Sequence, residues 1–144
     1  MTTELREAWV MPTTPPPTDS ELAAIKACVL DYFQGWFDGD PIRVERALHA
    51  ELAKRCYGQT ADRAPLLHTD TAPGMVEATR EGNGRIRAGG RPLEIEVLDA
   101  GQGIASVVAS SEHYHEYLHL VETAEGWRIV NALWRWADGH GPRA

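Results

Sequence analysis

The apolar residues change their spacing once along the chain, from a helical period to a strand period. Between Leu22 and Trp36 they recur every three or four positions, which is the pattern of a helix with one face on a core. After Gly90 the period becomes two, and Leu93 and Ile95 alternate with charged residues. Successive strands joined by short turns pair antiparallel, because a parallel pair needs a long crossover. The pattern therefore predicts an α+β domain, with three N-terminal helices packed on a curved antiparallel sheet.

Cap and turn residues set the boundaries of these elements. Thr18 and Glu21 form a capping-box pattern that begins the first helix, and Gly39 suits the left-handed position that ends it. Asp40 and Pro41 then begin a short second helix, over about 41–48. The remaining predicted elements are a loose hairpin at 52–59 and 64–69, a third helix ending near Gly82, and strands near 93–97, 104–110, 113–122 and 127–136.

Length, composition and charge favour one domain with flexible ends. The chain has 144 residues, 43% of them apolar and 24% charged, as in ordinary globular domains. We predict a flexible Pro-rich tail at 1–17, a single domain at 18–137 and a flexible C-terminus at 138–144. The net charge of −7 argues against a nucleic-acid partner. Because no apolar run reaches 18 residues and no secretory signal is evident, we expect no membrane partner and a cytoplasmic location.

Motifs for nucleophilic catalysis or for a bound cofactor are missing from the sequence. There is no nucleophile elbow, no phosphate-binding glycine loop and no dinucleotide fingerprint. Cys28 and Cys56 are the only cysteines, and two isolated cysteines form neither a disulfide framework nor a metal cluster. We therefore expect no cofactor.

Four segments carry a resemblance to a known family. They are residues 32–40 (YFQGWFDGD), 47–55 (ALHAELAKR), 117–121 (YLHLV) and 126–134 (GWRIVNALW). In this order the chain resembles the nuclear transport factor 2-like superfamily, and in particular its putative lumazine-binding branch, close to the SnoaL-like proteins. The likeness covers about residues 19–136. It implies a cone-shaped cavity between helices and sheet, and a homodimer formed through the outer face of the sheet.

Aromatic residues supply most of the candidate ligand-binding positions. Tyr32, Trp36, Tyr57 and Trp134 are placed to meet near the core, where they serve either as packing or as the wall of a pocket. Asn131 stands in the middle of a strand, where an apolar residue would be cheaper. A partner for its amide is therefore expected, and we include it in the site.

The adjacent basic residues Lys54 and Arg55 must point to opposite faces of a strand. We place Arg55 in the ligand-binding site, where an inward guanidinium beside Tyr32 would grip an anionic group by two hydrogen bonds. Without a bound anion, an inward Arg55 must pair with an internal carboxylate such as Glu116, because burying it unpaired would be costly.

Two histidines are candidates for acid–base catalysis. His49 follows the second helix at the expected mouth of the cone, where it would serve as a general base or cap the helix. His115 lies in a row with His113 and His119, which share one face of a strand. Such a row suits a metal site, a surface or dimer-facing row, or a pocket that one of the histidines lines. No carboxylate at motif spacing completes a metal set, so we predict no metal.

Three functions are compatible with these features. The first is a small-molecule-binding protein with a largely apolar aromatic pocket and an unknown ligand. The second is a cofactor-independent isomerase, dehydratase or cyclase that uses a pocket histidine as its base. The third is a dimeric assembly domain, because one face of the sheet would stay exposed.

Overall fold

The computed structural model describes residues 15–59, 65–85 and 92–141. The helices are α1 (Asp19–Asp38), α2 (Pro41–Ala47) and α3 (Ala72–Arg80). The strands are β1 (Leu48–Gln59), β2 (Pro65–Asp70), β3 (Glu94–Gly101), β4 (Ile104–Ser110), β5 (Tyr114–Thr123) and β6 (Gly126–Trp136). The predicted α+β class is confirmed, and so is the order of helices, hairpin, helix and meander. The predicted N-terminal tail lies mostly outside the described residues, as does the end of the predicted C-terminal one.

Helix α1 begins and ends where its cap residues predict. The Thr18 hydroxyl accepts a hydrogen bond from the Glu21 amide at 3.1 Å, and the Glu21 carboxylate accepts from the Thr18 amide at 3.5 Å. Gly39 ends the helix with a φ of +67°, in the left-handed region that a side chain would strain. Asp40 then caps α2 by accepting from the amide of Arg43. Gly39 and Asp40 therefore join α1 directly to α2.

A partly exposed ion cluster ties α2 back onto α1. Arg43 and Arg46 both donate to the carboxylate of Asp31, at 2.8–3.0 Å. Partial burial alone would raise the pKa of Asp31. The hydrogen bonds from Arg46 and then Arg43 outweigh burial, so the pKa of Asp31 lies below its ordinary value. The cluster stabilises the corner in its ionised state.

In the part of the chain that the structure describes, the sheet has six strands in the order β2-β1-β6-β5-β4-β3. All neighbours are antiparallel except β1 and β6, which are parallel. The parallel pair differs from the predicted all-antiparallel sheet. It arises because β1 and β6 are joined by most of the domain, which supplies the long crossover that such a pair needs.

The helices cover one face of the sheet, here called the inner face. Its residues form one core with α1, α2 and α3, which includes Phe33, Val107, Leu118 and Ile129. On the opposite, outer face, Ile104, Tyr117 and Leu133 remain exposed. Within the described ranges, no helix is long and apolar enough to cross a membrane.

Candidate functional site

Two charged residues are buried on the inner face of the sheet. Lys54 of β1 is 5% exposed and Glu116 of β5 is 3% exposed. Each occupies a position where strand alternation calls for an apolar residue, Lys54 after Leu52 and Glu116 before Leu118. Helix α1 lays Tyr32, 2% exposed, over both of them.

Tyr32, Lys54 and Glu116 form one hydrogen-bonded group, here called the buried triad. The Tyr32 hydroxyl donates to Oε1 of Glu116 at 3.0 Å and accepts from Nζ of Lys54. Lys54 Nζ lies 3.9 Å from the same carboxylate oxygen. The ammonium group also lies over two rings, 4.9 Å from the centroid of Tyr32 and 5.3 Å from that of Trp134. The tyrosine hydroxyl therefore stands between the amine and the carboxylate.

Burial favours the neutral forms of Glu116 and Tyr32. Desolvation raises the pKa of Glu116, although the nearby Lys54 and the Tyr32 hydroxyl oppose it. Desolvation also raises the pKa of Tyr32, and the Glu116 carboxylate adds to that effect. A proton on Glu116 is therefore easier to keep here than in water, and the Tyr32 hydroxyl stays protonated.

An aromatic cluster continues from the triad toward the surface. Its rings meet at centroid distances of 5.2–5.4 Å among Tyr114, Trp134 and Trp136, and Trp36 Nε1 donates to the Tyr114 hydroxyl at 3.1 Å. The three tryptophans are only partly buried. Trp134 Nε1 is itself buried and has no hydrogen-bond partner among the described residues. An unpaired indole N–H therefore lies on the ring that contacts Lys54.

Cys56 lies beside this cluster on the same side of the sheet. It pairs across the sheet with Trp134 on one side and His68 on the other. The thiol is partly buried, and burial raises its pKa above the ordinary value. It is thus a neutral group at the edge of the site.

The inward basic residue is Lys54, which corrects the prediction for Arg55. The register with β6 puts Lys54 opposite the buried Ala132, whereas Arg55 is opposite the exposed Leu133. Tyr57 has the same phase as Arg55 and is 44% exposed. Both residues therefore lie on the outer face, away from Tyr32. Glu116, the carboxylate expected to pair with an inward Arg55, is paired with Lys54 instead.

Asn131 also lies on the outer face, because β6 contains a bulge. The register with β5 shifts so that Leu120 pairs with Ile129 but His119 pairs with Asn131. The extra residue, Val130, moves every later side chain to the opposite phase. Asn131 is therefore turned outward, where its amide lies 3.3 Å from the His119 ring.

The two candidate catalytic histidines lie apart from the triad. His115 has outward phase on β5, and its Nδ1 is 2.7 Å from the Ser110 hydroxyl. His49 lies at the start of β1, where its Nδ1 accepts from the amide of Glu51 at 3.0 Å. Of the predicted residues, the structure brings together Tyr32, Trp36 and Trp134. Within the described ranges, no group of three or more His, Cys, Asp or Glu residues is arranged to hold a metal ion.

Among the described residues, two open grooves on the surface lie outside this cluster. One, of about 700 Å³, is lined by residues of β3, β4, β5 and β6, including Ile104, His119 and Val130. The other, of about 630 Å³, lies between α2, β1 and α3. Neither contains a residue of the triad.

Sequence reasoning missed the roles of Lys54 and Glu116 as a site. The signal was available, because a charged residue stands at an apolar phase of a strand in each case. The phase itself was ambiguous in β1, where the neighbouring Arg55 was an equal candidate for the inward position.

Comparison with known proteins agrees with this architecture. A family model described as "Putative lumazine-binding" matches residues 20–135. The chain belongs to the putative lumazine-binding family. A search of curated proteins found no match.

Solved structures described as nuclear transport factor 2-like share the fold of this chain. A nuclear transport factor 2-like protein of unknown function from Shewanella baltica is 12% identical, with a TM-score of 0.65 over 87% of this chain and 100% of that one. One from Silicibacter pomeroyi is 17% identical, with a TM-score of 0.64 over 84% and 100%. A ketosteroid isomerase-like protein from Erwinia carotovora atroseptica is 14% identical, with a TM-score of 0.57 over 84% and 99%. At these identities the likeness is one of fold.

Proposed function

We propose that this protein binds a small, flat, conjugated molecule that carries an oxygen acceptor. The observation that carries the proposal is the buried triad beside an unpaired indole N–H. Lys54 has three N–H donors and two partners in the triad, and Trp134 Nε1 has no partner among the described residues. A carbonyl or carboxylate oxygen would satisfy both donors. The partly exposed rings of Trp36 and Trp136 would stack on a flat ligand.

The energetics of the triad support a functional role. Removing an amine and a carboxylate from water costs several kcal/mol per ion, by order of magnitude about as much as their mutual attraction returns. A pair of apolar residues would fill the same space at no such cost. The charged pair therefore adds little net stability, and we infer that it is kept for what it binds.

Intrinsic fluorescence tests the proposal directly. Lumazine and riboflavin are suitable first probes, because they are flat, carry carbonyl groups and correspond to the family description. We expect either probe to quench tryptophan emission in a saturable way and to raise the melting temperature. At a probe concentration a hundredfold above Kd, the free energy of unfolding should increase by about 2.7 kcal/mol. Trp134→Phe should weaken binding because it removes the indole N–H.

A matched variant separates binding from loss of an emitter. Trp127 is buried on the same strand, away from the triad, so Trp127→Phe should leave Kd unchanged. Equal weakening by both variants would argue against a site at Trp134. If neither the two probes nor a broad panel of conjugated carbonyl compounds stabilises the protein, the proposal fails.

A proton-transfer enzyme is the second candidate, as an isomerase, dehydratase or cyclase. Its base would be Glu116 rather than His49 or His115, since Glu116 is the titrating group that meets the aromatic cluster. The Tyr32 hydroxyl, 3.0 Å from it, would stabilise an enolate oxygen. NMR would detect exchange of the α-protons of acetophenone with deuterated solvent. Loss of exchange in Glu116→Gln would support this role, and exchange equal to buffer alone would end it.

We also propose that the outer face forms a homodimer. The centre of this face is apolar, with Tyr117 and Leu133 both exposed. The basic residues on this face are Arg55 of β1 and Arg135 of β6, and the acidic ones at its other edge are Glu94 and Glu96 of β3. A two-fold axis along the strands would set β1 of one copy against β3 of the other, so that Arg55 faces Glu96.

A further inference from the structure

Lys54 is set apart chemically from the other lysine of the chain. The sequence contains two lysines, Lys26 and Lys54. Lys26 is exposed on α1, whereas Lys54 is 5% exposed and lies against the rings of Tyr32 and Trp134. A buried amine among aromatic rings is the setting in which lysine acts as a nucleophile toward carbonyl groups.

The triad contains a path that can neutralise this amine without any external base. Nζ of Lys54 donates to the Tyr32 hydroxyl, which in turn donates to Oε1 of Glu116 at 3.0 Å. When Tyr32 passes its own proton to Glu116 and takes one from Lys54, the hydroxyl is unchanged. The net result is a neutral amine and a neutral carboxylic acid. Burial, which raises the pKa of Glu116, favours this state.

We propose that Lys54 forms an imine with a conjugated aldehyde or ketone bound at the aromatic cluster. This inference rests on the proposed binding function and names the class of ligand: a molecule whose carbonyl carbon reaches Nζ. The unpaired Trp134 N–H would hold the carbonyl oxygen and polarise it.

The chemistry balances within the triad. The nitrogen lone pair forms a bond to the carbonyl carbon, and the oxygen takes the proton that Glu116 returns through Tyr32. The nitrogen, now positively charged, gives one proton back to the Glu116 carboxylate through Tyr32, which restores its lone pair and leaves a neutral carbinolamine. This lone pair forms the C=N bond as the hydroxyl group leaves as water with the proton that Glu116 returns, and the last N–H proton of the iminium then passes to Glu116. One amine and one carbonyl give one imine and one water, with no oxidant or reductant. Hydrolysis reverses the steps, so the ligand is released intact.

Reductive trapping of the folded wild-type chain tests the inference. Benzaldehyde, a flat conjugated carbonyl, is added with sodium cyanoborohydride, and benzylation is mapped by mass spectrometry of peptides. We expect Lys54 to be modified roughly tenfold or more faster than Lys26, although it is the buried one. A reversible adduct on Cys56 would not be trapped, since reduction acts on the C=N bond. In urea, the two lysines should react equally.

Variants test the proton path and show whether trapping occurs at Lys54. Lys26→Arg should leave trapping at Lys54 unchanged, and Lys54→Arg should abolish it. Tyr32→Phe and Glu116→Gln interrupt the path, so each should slow trapping at Lys54 in protein that still melts cooperatively. Unslowed trapping in both folded variants would overturn the relay. If either variant fails to fold, the comparison of the two lysines in the wild type still decides the main point.

The outcomes also separate this inference from the binding proposal. Saturable quenching by lumazine or riboflavin together with an unmodified Lys54 would overturn the imine and leave the binding function standing. Modification of Lys26 at the same rate as Lys54, or faster, would likewise overturn the imine. Absence of both quenching and trapping would count against both proposals.

Discussion

At the scale of single residues, the site depends on a carboxylic acid whose charge is unfavourable where it lies. Burial raises the pKa of Glu116, so the folded chain holds this proton more tightly than the unfolded chain does. The stability that this contributes is fully present below the ordinary pKa of a glutamate. It is lost as the pH rises through the raised, folded value.

This linkage predicts a pH-dependent effect of Glu116→Gln. The amide is neutral at every pH, so the variant should gain stability relative to the wild type as the pH rises from about 4 upward. Urea unfolding at a series of pH values measures the difference. Glu94→Gln, on the exposed outer phase of β3, is the matched control for replacing a glutamate by a glutamine. A difference for Glu116→Gln that stays constant over the pH series would contradict the direction of the shift.

The two cysteines should differ in reactivity. Cys28 is 7% exposed and its thiol donates to the Ala47 carbonyl, and burial above all raises its pKa to about 12. Cys56 is only partly buried at the edge of the site. We expect iodoacetamide to label Cys56 well before Cys28 in the folded chain, and both equally in urea. Faster labelling of Cys28, measured by peptide mass, would contradict the packing of α1.

At the scale of elements, the turn after α3 supports the aromatic cluster by a close backbone approach. A side chain at Gly84 would overlap the backbone carbonyl and the ring of Trp36. Neither can move far, because Trp36 lies within α1 and its indole donates to Tyr114. The site thus depends on one glycine outside it.

We therefore expect Gly84→Ala to be costly, by about 1–3 kcal/mol as for other overpacked positions. Urea unfolding gives the stability, and the emission maximum of the tryptophans reports the displaced Trp36. Gly58→Ala is the control, because a methyl group there would meet nothing within 4 Å. Two variants of equal stability would show that the turn and α1 are not packed as described.

Most element boundaries could be predicted from the sequence because local chemistry sets them. Thr18, Gly39 and Asp40 each act within a few residues of the backbone they cap, and their pattern is visible without the fold. The inner face of β6 could not be predicted, since period two from Ile129 points Asn131 inward and only the bulge at Val130 reverses it. Which residues of β1 face inward could not be predicted either, for a different reason. Its parallel pairing with β6, which decides between Lys54 and Arg55, is a long-range contact.

At the scale of the whole molecule, the charges of the outer face should control association. If β1 of one copy lies over β3 of the other, reversing one charge places like charges opposite each other, which costs several kcal/mol. We expect light scattering to find a dimer for the wild type and a weaker one for Glu96→Arg.

A second charge reversal tests the geometry. Arg55→Glu added to Glu96→Arg restores opposite charges across the two-fold axis, so the double variant should recover the dimer. Glu112→Arg, in the exposed turn before β5, is the matched control and should have no effect. A monomeric wild type would contradict the proposed dimer. A double variant that dimerises more weakly than either single variant would contradict this arrangement of the two copies.

The parallel pairing of β1 with β6 also has a consequence for how the protein is made. Translation delivers Lys54 early, whereas Glu116 and Trp134 emerge only with the last two strands. Until then β1 lacks its central neighbour, and its amine has neither its carboxylate nor its rings. The site therefore cannot mature piece by piece as the ribosome proceeds, and a nascent chain that stops before β6 should remain a client for chaperones.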